Sequence, residues 1–270
     1  MGQPVPWMDI LGVRIHRLDL DQVIALLELH LADRRPRHVV TVNPEFLVQA
    51  QRSAEFRQVL DRADLAIADG VGLVWAARLL GYGAVPRVPG VDLIERLASS
   101  ASRHGYRLFL LGGAPGVAEA AAGALTGRHA GLVVSGAYAG SPALEDEAAI
   151  FARVRAARPD VLLVAYGAPQ QDLWIRRHLE TLGVPLAMGV GGSFDFISGR
   201  VARAPAWLRR AGFEWLFRLM TQPWRWRRML RLPLFAWLVL KQRFRRGLAG
   251  ETVVCRREVS SPDVQGSGRV

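Results

Sequence analysis

Two polar positions that follow apolar runs could support acid–base chemistry. Thr41 and Asn43 lie at the end of the run HVVTV, and Asp69 follows the run DLAIA and opens the stretch D-G-V-G. A carboxylate that reaches a substrate hydroxyl can act as a general base. Asn43 and Asp69 are also residue types that cap the helix after a strand. For either residue taken alone, both interpretations stay open.

Two further turns carry groups that suit a nucleotide or a sugar. Gly112 and Gly113 lie in LLGGAPG, where a strand passes through a glycine turn into a helix, and such backbone N–H groups can hold a diphosphate. A single glycine-rich turn is weak evidence on its own. Gly167, Gln170 and Gln171 lie in YGAPQQ, and side-chain amides can both donate to and accept from sugar hydroxyls or a nucleobase edge.

Short apolar runs alternate with helix-forming stretches and would place these groups together. The predicted strands are 38–42, 64–68, 107–111, 131–135, 160–166 and 185–190, and the predicted helices lie near 44–61, 71–81, 91–104, 115–126, 142–157 and 169–182. This alternation predicts an α/β fold, in which a Rossmann-like parallel sheet has helices on both faces. Ligands of such sheets bind beyond the carboxyl ends of the strands, where all four turns would lie.

The positive charge is concentrated near the C-terminus. The whole chain carries a net charge of +11, and residues 200–246 hold 13 Lys or Arg against the single acid Glu214. Five tryptophans share this segment, and Lys241 is its one lysine. Arginine interleaved with tryptophan and leucine is typical of helices that dock on an anionic membrane surface. Nucleic-acid binders usually spread Lys and Arg over a folded face, so this pattern argues against a nucleic-acid partner.

These observations divide the chain into three parts. We expect an α/β catalytic domain over 1–199, a basic amphipathic helical appendage that docks on the membrane over 200–248, and a disordered tail over 249–270. The longest uncharged apolar run, 232–240, is shorter than the about 20 residues that span a bilayer.

Several other chemistries are not supported by the residues. The six histidines lack a His or Cys at metal-ligand spacing, and the single Cys255 excludes an intramolecular disulfide and a multi-cysteine metal site. Asp19 and Asp21 form a D-x-D pattern that fits the cap of a helix better than a metal site. Neither a Gly-x-Ser-x-Gly elbow nor a P-loop is present. We therefore predict no metal site and no cofactor.

Several separated motifs, in order, resemble the WecG/TagA/CpsF family, glycosyltransferase family 26, over about residues 10–245. They are T-x-N-P-E at 41–45, D-G-V-G at 69–72, R-x-x-G-x-D at 87–92, G-A-P-Q-Q at 167–171, GVGGSFDFISGRVARAPAWLRRAGFEWLFRL at 189–219 and P-W-R-W-R-R at 223–228. The sequence departs from the family pattern at Gln222, at Met229 and near Gln170. These departures concern the geometry of the basic segment and the choice of acceptor, and they leave Thr41 and Asp69 unchanged.

The resemblance implies a membrane-associated inverting hexosyltransferase of cell-surface polysaccharide or teichoic acid synthesis. It would move a sugar, N-acetylmannosamine or a related one, from a UDP-sugar to a polyprenyl-diphosphate-linked sugar at the cytoplasmic face of the cell membrane, without a metal. It implies that Asp69 is the base and that Thr41 orients the acceptor or the base. Residues implied in binding the donor or substrate are Asn43, Arg87, Asp92, Gly112, Gly113, Gly167, Gln170, Gln171 and Asp195. Arg218, Arg225 and Arg228 would meet the lipid diphosphate or, alternatively, form a solvated helix face against lipid headgroups.

Two other functional classes fit the sequence less well. A soluble Rossmann-type oxidoreductase would use 107–116 as half of a dinucleotide fold, but it needs an acidic residue near the end of the next strand, and 131–140 (GLVVSGAYAG) has none. A non-catalytic membrane scaffold would leave the meeting of Asp69 and Thr41 at one sheet edge without a reason. The sequence leaves a homo-oligomer, the donor sugar and the acceptor open.

Overall fold

A computed structural model describes residues 5–221, 226–249 and 256–258. Within these residues the strands are β1 (Val5–Ile10), β2 (Val13–His16), β3 (Arg37–Val42), β4 (Leu65–Ala68), β5 (Arg107–Gly112), β6 (Val133–Tyr138), β7 (Val161–Ala165), β8 (Leu186–Gly189) and β9 (Arg256–Glu258). The helices are α1 (Leu20–Asp33), α2 (Pro44–Ala50), α3 (Ala54–Asp61), α4 (Val71–Leu79), α5 (Gly90–His104), α6 (Val117–Arg128), α7 (Leu144–Ala157), α8 (Gln170–Leu182), α9 (Ser193–Ile197), α10 (Ala206–Arg210), α11 (Glu214–Thr221), α12 (Trp226–Met229) and α13 (Arg231–Ala249).

The described strands form one sheet in the order β6-β5-β7-β8-β3-β4-β2-β1-β9. All neighbours from β6 to β2 are parallel, whereas β1 runs antiparallel to both β2 and β9. The predicted parallel sheet flanked by helices is therefore confirmed. The antiparallel edge was not predicted.

Residues of β3 alternate between two apolar cores, one on each face of the sheet. Val39 of β3 faces α1 and α5, whereas Val40 and Val42 of the same strand face α2, α4 and α13. Both faces are covered because successive side chains of a strand point to opposite sides of the sheet. This double burial explains why the strands read as continuous apolar runs.

Two predicted elements differ from the structure. The single helix expected over 44–61 is two helices, α2 and α3, because Ser53 adopts an extended backbone and its hydroxyl accepts a hydrogen bond from the Phe56 amide at 3.1 Å. Three residues of the tail expected to be disordered form β9, which pairs with the open edge of β1. An unpaired strand edge offers hydrogen-bonding groups to such an addition. The rest of the segment 250–270 lies outside the described residues.

Helix α13 is built into the body of the protein. Phe235 and Val239 are 5% and 2% exposed and belong to the core formed with α2 and α4. Polar contacts fasten the same face to the β1–β2 turn: Gln242 accepts from the Leu11 amide at 2.9 Å and donates to Asp9 at 2.8 Å. The helical part of the predicted appendage is thus present, and α13 shares its core with the sheet. The boundary at 199 stays a prediction. In the part of the chain that the structure describes, no helix is long and apolar enough to cross a membrane.

We expect opposite stability effects from two glycine substitutions. Gly112 has a φ of +100°, and a Cβ there would lie 2.8 Å from the Ala165 carbonyl carbon of β7, so Gly112→Ala should lower the free energy of unfolding by more than about 1 kcal/mol. Gly123 lies in α6 with open space around it, so Gly123→Ala should raise that free energy by up to about 1 kcal/mol. Urea unfolding followed by circular dichroism measures both. A stable Gly112→Ala protein would show that this turn tolerates a side chain.

Candidate active site

A polar cleft lies beyond the carboxyl ends of β3, β4, β7 and β8. One cavity of about 150 Å³ includes Thr41, Gly167 and Gln171 in its lining, and an adjoining cavity of about 200 Å³ includes Arg87. The two cavities share Asn43, Asp69, Glu214 and Arg218, and so form one continuous cleft. This is the edge of the sheet where the parallel fold places ligands.

Asp69 occupies the centre of this cleft. It follows β4 directly, and its backbone amide donates to the Val42 carbonyl at 2.7 Å, which holds it against the end of β3. Gly90 lies opposite, and a Cβ on Gly90 would be 3.8 Å from Asp69 Oδ2, 4.0 Å from Thr41 Cγ2 and 3.6 Å from Ser193 Oγ. The carboxylate, the threonine and Ser193 therefore surround a single glycine.

Burial raises the pKa of the Asp69 carboxyl from 3.8 to about 6. The positive charges of Arg218 and Arg87 and a hydrogen bond from the Gly90 backbone act in the opposite direction, and the negative charge of Glu214 adds to the rise. A carboxyl with a pKa near 6 is ionised at neutral pH and is a stronger base than an ordinary aspartate. These environmental effects give Asp69 the properties of a general base.

Thr41 and Asn43, at the carboxyl end of β3, are held by contacts with the backbone. Thr41 is buried, and its hydroxyl donates to the Gly189 carbonyl of β8 at 3.4 Å. Asn43 Oδ1 accepts from the amides of Glu45 and Phe46 at 2.9 and 3.1 Å, which makes it the cap of α2. The cap leaves the amide nitrogen of Asn43 able to contact a ligand. Both interpretations of Asn43, a cap and a cleft residue, are compatible with this geometry.

Four arginines line the cleft, and one of them, Arg231, is paired with Glu45. Glu214 Oε1 is 3.3 Å from Arg218 and its Oε2 is 4.0 Å from Arg87, so one carboxylate positions two guanidinium groups. The Arg218 guanidinium also lies 4.3 Å from the centroid of the Phe196 ring. Arg203 lines the cleft and donates to Asp92 at 2.5 Å, and its Nε and Nη2 have no hydrogen-bond partner among the described residues. Guanidinium groups held in this way are suited to diphosphate oxygens.

Gln171 shapes the floor of the cleft on the side of β7. It is almost fully buried, and its Oε1 accepts from the Gly191 amide at 2.8 Å, which ties the start of α8 to the loop after β8. Gly189 has no room for a side chain, because a Cβ there would lie 2.5 Å from Gln171 Nε2. The described residues contain no group of three or more His, Cys, Asp and Glu side chains that could hold a metal ion.

The comparison with protein families shows which family the chain belongs to. A model of the glycosyl transferase WecG/TagA/CpsF family matches residues 8–249. The chain belongs to this family. The resemblance expected from the motifs is confirmed, and membership places the chain among glycosyltransferases rather than among the oxidoreductases that were the alternative.

Curated relatives agree with this membership. The chain is 32% identical over 225 residues to an N-acetylglucosaminyldiphosphoundecaprenol N-acetyl-beta-D-mannosaminyltransferase of Bacillus subtilis strain 168, covering 83% of this chain and 87% of the relative. It is 33% identical over 224 residues to the enzyme of the same name from Bacillus spizizenii, with 83% and 86% covered. The Staphylococcus aureus NCTC 8325 enzyme of that name is 30% identical over 236 residues, with 87% and 92% covered.

Not every residue implied by the WecG/TagA/CpsF resemblance lines the cleft. Gly112 and Gly113 line neither cavity. They form a close packing turn against β7, where the Gly113 amide donates to the Ala165 carbonyl at 3.1 Å. Gln170 is exposed at the first residue of α8. Asp92 contacts the cleft through Arg203, and Asp195 lies beside the cleft residue Gly192.

The implied acceptor residues are only partly described. Arg218 lies in the cleft, Arg228 lies in α12, and Arg225, like the departure at Gln222, lies outside the described residues. The structure also adds Gly90, Ser193, Arg203 and Glu214, which sequence reasoning did not single out. Glu214 had a readable signal, because it is the one acid among the 13 cations of its segment. Arg203 had no such signal beyond its place in the motif 189–219, because it is one of many arginines in a basic segment.

We expect Asp69→Asn to stabilise the protein. Since the folded state binds the Asp69 proton more tightly than the unfolded chain, stability falls as the pH rises from about 4 to about 6, by at most about 3 kcal/mol. Asparagine removes this cost, so the variant should unfold at a higher temperature than the parent above pH 6 and at a similar temperature near pH 4. Differential scanning calorimetry measures the difference, with the exposed Asp21→Asn as a control that should change little. A variant equal to the parent at both pH values would show that burial does not oppose the Asp69 charge.

Proposed function

We propose that the protein transfers N-acetylmannosamine, or a related sugar, from a UDP-sugar to a sugar linked to polyprenyl diphosphate. The relatives' names describe transfer of N-acetylmannosamine to N-acetylglucosaminyldiphosphoundecaprenol, and the family is shown over residues 8–249. The observation that carries the proposal is the meeting of a carboxyl of raised pKa with Arg87, Arg203 and Arg218 in one cleft. The transfer would serve cell-surface polysaccharide or teichoic acid synthesis.

In this proposal Asp69 is the base of a single inverting displacement. The acceptor hydroxyl oxygen forms the new bond to the anomeric carbon while the bond from that carbon to the UDP oxygen breaks, and UDP leaves with the electron pair. Asp69 takes the proton of the attacking hydroxyl. Thr41, held against Gly189, sits beside the path of that hydroxyl and orients it or the carboxylate.

The negative charge that develops on UDP needs a positive partner. Arg87, Arg203 and Arg218 line the cleft, and guanidinium groups placed in advance where charge develops stabilise the transition state. We assign this role to the three arginines and propose that transfer proceeds without a metal ion. In the same proposal, Asn43, Gln171 and the backbone at Gly167 contact the donor.

We also propose that the protein binds peripherally to the cytoplasmic face of the membrane. Trp207, Trp226 and Met220 are largely exposed on the helices after residue 205, in the segment that carries the excess positive charge. Indoles and cations together suit the interface of an anionic bilayer. A polyprenyl-linked acceptor requires this location, because its lipid remains in the bilayer while its sugar enters the cleft.

The decisive measurement is the release of UDP from a panel of UDP-sugars, with a short-chain polyprenyl-diphosphate N-acetylglucosamine as acceptor and with and without EDTA. We expect acceptor-dependent release that survives EDTA and that is highest with UDP-N-acetylmannosamine. Asp69→Asn should reduce turnover by about a thousandfold or more while UDP-sugar binding is kept, because only the base is lost. Asp21→Asn is the matched control. Undiminished turnover by Asp69→Asn would remove Asp69 as the base, and loss of release in EDTA would refute metal independence.

The pH dependence of kcat/KM should report the Asp69 carboxyl. Since the base acts when deprotonated, kcat/KM should rise with pH and level off above about 6. Glu214→Gln removes a negative charge that raises the Asp69 pKa, so the rise should move to lower pH. The same change at the exposed Glu180 of α8 should leave the profile unmoved. A profile that stays in place in Glu214→Gln would assign the titration to another group.

A further inference from the structure

Another cavity lies outside the cleft, between α13, the β1–β2 turn and α3. This groove has a volume of about 500 Å³ and is lined by Leu11, Gly12, Gln51, Arg57, Leu238, Lys241, Gln242, Arg245 and Arg246. It shares no lining residue with the cleft. Helix α2 separates the two, since Pro44 at its start lines the cleft and Gln51 after its end lines the groove. Seven helical residues span about 10 Å.

The groove carries positive charge that the protein does not neutralise. Two of its four cations have carboxylate partners: Arg246 is 3.1 Å from Asp9, and Arg57 is 3.8 Å from Asp61. Lys241 and Arg245 have no acidic partner within 4 Å among the described residues. The groove therefore has an excess of two positive charges, contributed by adjacent turns of α13.

The side chains of α13 are arranged in three bands around the helix. Phe235 and Val239 point into the core. On the opposite side, exposed apolar side chains recur at helical spacing: Trp237 (55% exposed), Leu240 (43%), Phe244 (70%) and Leu248 (90%). At about 100° per residue, Lys241 and Arg245 fall between these two bands, on the side of the groove.

This arrangement matches a helix lying in the plane of a membrane interface. An outward apolar stripe enters the boundary between headgroups and acyl chains, and cations beside the stripe lie at the depth of the lipid phosphates. Lys241 Nζ already lies 5.2 Å from the centroid of the Trp237 ring, so one cation is placed beside the stripe. Arg57 faces the groove from α3, a helix of the sheet-bearing body, and donates to the Gly12 carbonyl at 3.1 Å.

We infer that this groove binds the phosphate of an anionic phospholipid headgroup, with Lys241 and Arg245 on one wall and Arg57 on the other. The site is distinct from the acceptor site, and it rests on the proposed function only in requiring a membrane location. Because its two walls belong to α13 and to α3, the site would hold both α13 and the sheet-bearing body of the enzyme against the bilayer.

The test is co-sedimentation of the full-length protein with vesicles of phosphatidylcholine, with and without about one-third phosphatidylglycerol. We expect the double variant Lys241→Gln/Arg245→Gln to bind the anionic vesicles at least tenfold more weakly, at about fivefold for each cation removed. The matched control is Arg96→Gln/Arg103→Gln on the exposed side of α5, which removes the same net charge and should change binding by much less. Equal losses in the two double variants would show that only net charge matters and would overturn the site.

Arg57→Gln separates a built site from a freely acting amphipathic helix. Because Arg57 lies on α3, its loss should weaken binding by about fivefold if the groove holds a headgroup, and should have no effect if α13 binds alone. Thermal unfolding verifies that the variant is folded. Inorganic phosphate at constant ionic strength should not displace the protein from vesicles, and displacement would make the groove a site for free phosphate instead.

Turnover with the short-chain acceptor, measured in solution without detergent or vesicles, tests the proposed activity independently of the proposed headgroup site. All groove variants should retain the parent's UDP release, because no groove residue lines the cleft. An inactive parent protein that binds vesicles through the groove would refute the proposed function alone. An active parent whose vesicle binding ignores the groove variants would refute the headgroup site alone.

Discussion

The charge of Asp69 is opposed by burial and supported by arginines, and the arrangement of the cleft depends on this balance. Removing the carboxylate from water raises its pKa, and Arg218 and Arg87 limit the rise to a value at which the group is still ionised at neutral pH. Glu214 has two opposing effects on the Asp69 pKa. It positions the two arginines and, by its own charge, keeps the Asp69 pKa high.

This balance joins two parts of the chain that differ in composition. Asp69 comes from the near-neutral region that forms the sheet, whereas Glu214 and Arg218 come from the basic segment through α11. The core makes the same connection, because Phe235 and Val239 of α13 complete the apolar layer over α2 and α4. Deleting the basic segment would therefore expose core surface and remove cleft charges at once, so single-residue variants are the cleaner way to test the proposed catalysis and the proposed membrane binding separately.

Much of the fold was predictable because its strands are buried on both faces. Six of the seven parallel strands appear in the sequence as short apolar runs such as DVLLVAY, and each of the six is present in the structure with shifts of a few residues at its ends. The β1–β2 hairpin was missed because Pro6, Asp9 and Gly12 interrupt its apolar pattern. The break between α2 and α3 depends on the backbone of Ser53, which local composition does not reveal.

The candidate site was predictable where a residue with a reactive or polar side chain also lay at the end of a predicted strand. Thr41, Asn43 and Asp69 follow apolar runs directly, so the parallel topology alone brings them to one edge. Gly112 was harder to interpret, because a glycine that admits a phosphate and a glycine that admits a neighbouring strand look the same in sequence, and a Cβ at this one would contact Ala165. Arg203 was missed because its significance lies in two unpartnered nitrogens beside Asp92, and that contact spans 111 residues of sequence.

The fastening of α13 to the β1–β2 turn has a geometric consequence for any substrate that stays in the bilayer. Gln242 and Arg246 bind Asp9, and Arg231 pairs with Glu45 at the start of α2, so both ends of α13 are fixed to the frame that carries Asn43. A protein resting on this helix would hold its cleft at one height and one tilt above the lipid. Under the proposed function, this fixed distance would select acceptors by length. Only an acceptor whose headgroup is long enough to bring a sugar hydroxyl up to Asp69 would react.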